Sequence, residues 1–233
     1  MKKWILKYMP VWVQNLAISI FNTLQYRKRH SGVYQDYYQY YKSFDGAEAE
    51  VIAQEGTRRL EEFLSFAISN SKYYSMVGAP SLSEFPVLEK EAILTRLSEV
   101  ATIGESEGEV SLTGGTTGAS MKVLKTEEDI QERHALLDFF RAKYGYRLGR
   151  KVAWFSGKDL TRPRDLAKGI CYRDDWINNI RFFSTFHISD KYFESYWSAF
   201  LKFSPEYLVG FPSSVFDLCM MAKERGLSFK GTG

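Results

Sequence analysis

Apolar residues recur at helical spacing over residues 47–69, where Val51, Ile52, Leu60, Phe63, Leu64, Ala67 and Ile68 line one side of a predicted helix. Gly78-Ala79-Pro80 breaks that pattern, a loop containing Pro86 follows, and a second, shorter helix is predicted over 89–99. The apolar run 110–112 reads as a strand entering a Gly/Thr-rich loop, and 121–124 as a strand leaving it. Thr126 followed by Glu127, Glu128 and Asp129 is a helix start, an N-cap with acids in the first turn. That helix is expected to run to about Tyr144, with Gly145 as its stop.

In the remainder, strands at 151–155, 180–183 and 207–209 alternate with helices. One helix begins at Ser189, covers 191–203 and is broken by Pro205. Another follows the turn Gly210-Phe211-Pro212; Ser214 with Asp217 resembles a capping box, and Gly226 ends it. This alternation predicts an α/β fold with a mainly parallel sheet flanked by helices. A helical N-terminal segment, 1–45, is expected to precede a larger domain, 46–233.

Composition narrows the class without choosing a function. At 45% hydrophobic and 25% charged residues, the 233-residue chain is an ordinary globular one and wholesale disorder is excluded. A net charge of +3 offers no ground for a nucleic-acid partner. Cys171 and Cys219 stand apart, without the clustering a zinc site or disulfide framework would need, and no metal site is expected from them. A reduced, cytoplasmic setting fits them best. Charge is uneven: Lys2, Lys3, Lys7, Arg27, Lys28 and Arg29 all precede the first acid, Asp36. Between the basic groups, residues 8–24 are mostly apolar but are interrupted by Pro10, Gln14, Asn15, Ser19, Asn22 and Thr23. Those interruptions argue against a signal peptide or a spanning helix. The expectation is a helix packed on the domain, with weak, peripheral membrane-surface association through the flanking cations.

The candidate chemistry lies in the loop Leu112-Thr113-Gly114-Gly115-Thr116-Thr117-Gly118-Ala119-Ser120-Met121-Lys122. Glycines let successive N–H groups turn into one concavity that suits an anion, threonine hydroxyls add donors, and Lys122 adds a positive charge. The pattern lacks the Gly-Lys-Ser/Thr of a Walker loop and leads into a strand, and it does not fit the dinucleotide-binding glycine spacing. On these residues alone, a phosphate cradle and a ligand-free Gly/Thr hairpin both remain open.

The string is similar to the Thr-Ser-Gly-Thr-Thr-Gly-x-Pro-x-Lys signature of adenylate-forming enzymes, matching at Thr113, Gly115, Thr116, Thr117, Gly118 and Lys122. It departs at Gly114, where the signature has Ser, and at Ser120, where it has Pro. Phe85-Pro86-Val87-Leu88-Glu89-Lys90, Ser184-Thr185-Phe186-His187-Ile188-Ser189, Gly210-Phe211-Pro212-Ser213 and Pro10-Val11-Trp12-Val13-Gln14-Asn15-Leu16 resemble, in order, segments of phenylacetate–CoA ligases and CapK-like capsular-polysaccharide proteins.

The resemblance implies the N-terminal part of an ATP-binding large domain. Its phosphate-binding residues would be Thr113, Gly114, Gly115, Thr116, Thr117, Gly118 and Lys122. His187, Gly210, Phe211 and Pro212 would lie at the acyl-substrate pocket, His187 as a lining residue and not as a base. The substrates implied are ATP and a small carboxylic acid, with CoA as acceptor. The family's Mg²⁺-holding Glu, its ribose-binding Asp and its C-terminal lid domain are expected downstream of Gly233, so the chain alone is expected to be inactive. A truncated, a split and a degenerate protein all fit this pattern, and a non-catalytic accessory protein is the alternative to a ligase fragment.

Overall fold

The computed structural model describes residues 8–113, 120–157 and 160–229. Its backbone divides into two compact units, one of Met1–Lys28 with Phe140–Gly233 and one of Arg29–Phe139.

The first unit is built on a four-stranded sheet: β3 (Val152–Ser156), β4 (Tyr172–Asp175), β5 (Ile180–Ser184) and β6 (Tyr207–Gly210), in the order β4-β5-β3-β6. β3 pairs in parallel with both β5 and β6, and β4 closes one edge antiparallel to β5. The sheet is therefore mixed, with two of its three pairings parallel. A parallel strand covered on both faces needs apolar residues throughout, and Val152-Ala153-Trp154-Phe155 supplies them.

The helix α8 (Phe193–Phe203) lays Phe193, Tyr196, Trp197 and Phe200 into the core beside Phe155 and Phe183. Those positions repeat three and four apart, as one buried helical face requires. Phe155 and Phe183, neighbours across the parallel ladder, stack with centroids 4.9 Å apart. Ser204 takes the left-handed conformation that ends this helix, and Pro205 follows.

Charged residues also sit inside this unit, and they explain a strand that periodicity does not reveal. β4 reads Tyr-Arg-Asp-Asp, yet Arg173 and Asp175 are its buried positions. Buried charge survives only when paired and hydrogen-bonded. Asp165, in the short helix α7 (Pro163–Leu166), accepts hydrogen bonds from Arg162 at 2.7 Å and from Arg173 at 2.5 Å. Arg173 donates its Nε–H to Gln14 and a further N–H to the Tyr172 carbonyl, each at 2.7 Å.

Gln14 belongs to α1 (Val11–Arg29), the helix expected in the N-terminal segment. It is fixed to β4 and the turn after it by polar side chains. The Asn15 amide oxygen accepts from the Asp174 N–H, the Ser19 hydroxyl accepts from the Trp176 N–H, and Asn22 donates to Asp175. The residues that argued against a membrane span are therefore the ones that hold the helix down. No helix among the described residues is long and apolar enough to cross a membrane.

The second unit contains α2 (Tyr34–Ser43), α3 (Ala49–Asn70), the short helices α4 (Lys90–Thr95) and α5 (Leu97–Val100), and a hairpin of β1 (Glu109–Leu112) with β2 (Lys122–Lys125). It also holds most of α6 (Glu127–Ala142). The single helix predicted over 89–99 is two, because Arg96 leaves helical geometry at φ −127° and ψ 31°. The start of α6 is as predicted: Thr126 Oγ1 accepts from the Asp129 N–H at 3.0 Å, and Asp129 accepts from the Thr126 N–H at 2.8 Å. The last helix of the chain, α9 (Pro212–Glu224), instead begins at Pro212 with Phe211 as its N-cap and no side-chain cap. Proline at the first helical position sacrifices an N–H that has no partner there in any case, so the Ser214/Asp217 box is not needed.

Candidate functional site

The Gly/Thr loop closes the β1–β2 hairpin. The ladder ends at the pair Leu112 and Lys122 and is extended by two further bonds. The Thr113 N–H donates to the Met121 carbonyl at 2.9 Å, and the Met121 N–H donates to Thr113 Oγ1 at 3.1 Å. The loop base is thus tied twice between the same two residues. A hydroxyl that accepts a hydrogen bond keeps its own O–H to donate, so Thr113 can hold the loop base and still offer a proton to an anion.

Gly114, Gly115, Thr116, Thr117 and Gly118 lie outside the described residues. Lys122 stands at the loop mouth, where its Nζ pairs with Glu105 at 2.7 Å, both side chains about half exposed. An exposed pair of this kind is worth about 0–1 kcal/mol, so a phosphate can compete for the ammonium group.

The other predicted residues gather at the carboxyl ends of the parallel strands in the first unit. β3 lies between β5 and β6, so the crossover from β3 to β5 and the crossover from β5 to β6 run in opposite directions. That is a topological switch point, the usual place for a ligand crevice in an open α/β sheet. β5 ends at Ser184 and runs into a 3₁₀ turn, Thr185–His187. Thr185 donates to the Ser156 carbonyl at the end of β3, and the Tyr196 hydroxyl donates to the Ser184 carbonyl at 2.5 Å. His187, half-buried, meets the Tyr192 ring edge-on at 6.5 Å.

Gly210 ends β6 beside Phe155 with φ +144°, and a Cβ there would run into the Phe155 carbonyl. Only glycine allows this approach. Phe211 is exposed and lies against Gly157, where an added Cβ would come within 2.9 Å of the Phe211 ring. Gly210, Phe211 and Pro212 thus form one exposed turn over the end of β3. The residues proposed for phosphate and for the acyl substrate fall in different units.

Three buried hydroxyls lie in this unit, two of them at these strand ends. Ser156 Oγ, Thr161 Oγ1 and Ser184 Oγ are buried and find no hydrogen-bond partner among the described residues. Ser156 and Ser184 pair in register at the last step of β3 and β5. Buried hydroxyls are rarely left unsatisfied in a native fold, so this end of the sheet has hydrogen-bonding capacity to offer a polar ligand or water. The resemblance included Ser184 as the start of a segment without giving it a role, and no sequence signal marks Ser156 or Thr161.

A cavity of about 410 Å³ also opens in this unit, lined among others by Tyr8, Pro10, Arg162, Arg164, Asp165 and Lys168. Asp165 is shared by two guanidinium groups, so the balance of charge there is cationic. Among the described residues, no group of three or more His, Cys, Asp and Glu side chains is placed to hold a metal ion.

Comparison with known proteins gives one distant likeness. The chain is 24% identical to Protein CapK of Staphylococcus aureus, over 92% of this chain and 49% of that protein. This supports a CapK-like relationship, and the chain spans about half the length of the curated relative it matches. No family model matches the chain, and no solved structure matches it.

Proposed function

We propose that this chain is the ATP-binding, N-terminal part of a carboxylate-activating ligase that serves capsular or other surface polysaccharide biosynthesis. The observation that carries the reading is the closed loop base: Thr113 tied twice to Met121, with Lys122 at the mouth of a segment that resembles the adenylate-forming signature. Similarity to CapK along 92% of the chain supports the capsule-related part.

In this reading the carboxylate attacks the α-phosphorus of ATP, the bond to the β-phosphate oxygen breaks, and acyl-AMP and pyrophosphate form. A thiol, CoA in the family resembled, then takes the acyl group and releases AMP. The loop's N–H groups and the hydroxyls of Thr113, Thr116 and Thr117 hold the phosphate oxygens, and Lys122 leaves Glu105 to balance their charge. Donors aimed at the phosphates would act where charge develops in the reaction.

The acid would bind over the strand ends at His187, Gly210, Phe211 and Pro212, with Ser156 and Ser184 offering buried hydroxyls. Mg²⁺ finds no ligand cluster among the described residues, so no step is assigned to it. The phosphate and acid parts of the reading rest on residues of separate units.

The test is ATP–pyrophosphate exchange by the full gene product across aryl, fatty and small carboxylic acids. Exchange dependent on one class of acid is expected. A gene product that binds ATP but exchanges with no acid would overturn the ligase reading and leave the accessory one.

A further inference from the structure

The N-terminal helix is built inside out. α1 turns its polar residues, Gln14, Asn15 and Ser19, into the fold, where each is nearly fully buried. Its apolar residues face the other way: Trp12, Leu16, Ile20, Phe21 and Leu24 are each between 42% and 61% exposed. Trp12, Leu16, Ile20 and Leu24 recur every fourth residue, with Val13, Ala17 and Phe21 beside them. At 3.6 residues per turn these positions make one continuous stripe.

The orientation is fixed by hydrogen bonds. Arg173 donates to Gln14, the Asp174 N–H to Asn15, the Trp176 N–H to Ser19 and Asn22 to Asp175, all between 2.7 and 3.2 Å. Rotating the helix to bury its apolar side would break this ladder and leave Arg173 and Asp175 inside the unit without those partners. The turn that holds Ser19 exposes two more large apolar side chains, Trp176 and Ile177. An apolar stripe of this length on a surface helix marks an interaction site.

We propose that this stripe is a membrane-docking face, which lies in the interface of an anionic bilayer and does not cross it. Charge selects the occupant. Lys2, Lys3 and Lys7 precede the stripe, Arg27, Lys28 and Arg29 end the helix, and no acid occurs before Asp36. A second copy of this chain carries the same excess of cations over acids in this segment and so does not complement it. Anionic headgroups complement them, and the aromatic Trp12 and Phe21 suit the headgroup–acyl boundary. The proposal sharpens the weak electrostatic association expected from sequence. Cations alone would give binding that salt removes, whereas a buried stripe holds on after salt screens them.

The test is co-sedimentation of the chain with vesicles of phosphatidylcholine containing about one-third phosphatidylglycerol, against vesicles of phosphatidylcholine alone. The expected result is preferential binding to the anionic vesicles, with part of it surviving 0.5 M NaCl, a concentration at which the Debye length falls to roughly 4 Å. Leu16→Glu with Ile20→Glu should lower vesicle affinity more than tenfold and leave the melting temperature unchanged, since both side chains already face solvent. Replacing Arg27, Lys28 and Arg29 by Gln should weaken binding on the order of a hundredfold at low salt.

Phe63→Glu, on an exposed position of the other unit, serves as the control and should change nothing. Four results would overturn the proposal. They are no binding at any anionic content, undiminished binding of the Leu16→Glu/Ile20→Glu variant, equal weakening by Phe63→Glu, and a wild-type dimer that the stripe variant converts to monomer.

Discussion

Asp165→Ala should destabilise the sheet unit severely, for a reason that lies in Arg173. Asp165 is 3% exposed and Arg173 is 1% exposed, and the carboxylate is shared between Arg173 and Arg162. Burial by itself would raise the Asp165 pKa, but the hydrogen bonds from Arg162 and Arg173 outweigh it and hold the value down from 3.8 to about 2. That difference corresponds to about 2 kcal/mol in favour of the ionised carboxylate. Removing the side chain costs more, because Arg173 is left charged and buried. A buried pair broken from one side loses about 3–5 kcal/mol.

Urea unfolding followed by circular dichroism is the assay. With a slope of about 2 kcal/mol/M, the midpoint should fall by roughly 1.5–2.5 M while the slope itself holds. The double variant Asp165→Ala/Arg173→Met should recover part of the loss, since no buried charge is then left alone. The pH dependence has a definite sign. A carboxyl whose pKa is lowered by folding stabilises the fold above its unfolded value, so this contribution is complete above about pH 4 and is lost as pH falls toward about 2. A loss below about 1 kcal/mol in Asp165→Ala, or a double variant no better than the single, would refute the argument.

Gly210→Ala should cost more than about 3 kcal/mol, because a Cβ at φ +144° meets the Phe155 carbonyl; a melting temperature close to wild type would contradict it. Burial pushes the Cys171 thiol up to about 12 while Cys219 is exposed, so Ellman's reagent at pH 8 should titrate one thiol quickly and the second only on unfolding. Glu105→Gln releases Lys122 from its surface partner and should tighten ATP binding up to fivefold, measured by titration at low salt.

Helical period revealed α3, cap and stop signals revealed α6, the helix Phe193–Phe203 and α9, and apolar runs revealed β3, β5 and β6. In α3 that apolar side is only partly covered, since Leu64 and Ala67 are buried while Val51, Ile52, Leu60 and Phe63 are exposed. β4 was not legible because its buried positions are Arg173 and Asp175, and a charged strand has no apolar alternation to read. The same inversion hid the orientation of α1. Pattern alone shows that one face is apolar, and the core is its usual destination, yet here the partners are Arg173, Asp175 and backbone N–H groups that only polar side chains can satisfy. At the candidate site the motif led to Thr113, Lys122, His187 and Gly210. The glycine at 210 has a steric cause that the structure supplies. The buried hydroxyls of Ser156 and Ser184 depend on pairing between strands far apart in sequence, which no local window contains.

Equilibrium binding of ATP to this chain, with Thr116→Ala/Thr117→Ala alongside, tests the central claim most directly. Two hydroxyl donors to a charged phosphate are removed, at about 1.5–3 kcal/mol each, and neither needs the rest of a catalytic apparatus to act. The account predicts that ATP binds the wild-type chain, that AMP binds it more weakly because the β- and γ-phosphates are missing, and that the double variant loses at least tenfold in affinity for ATP with its fold intact. Equal affinity of wild type and variant for ATP, or no difference between ATP and AMP, would contradict it.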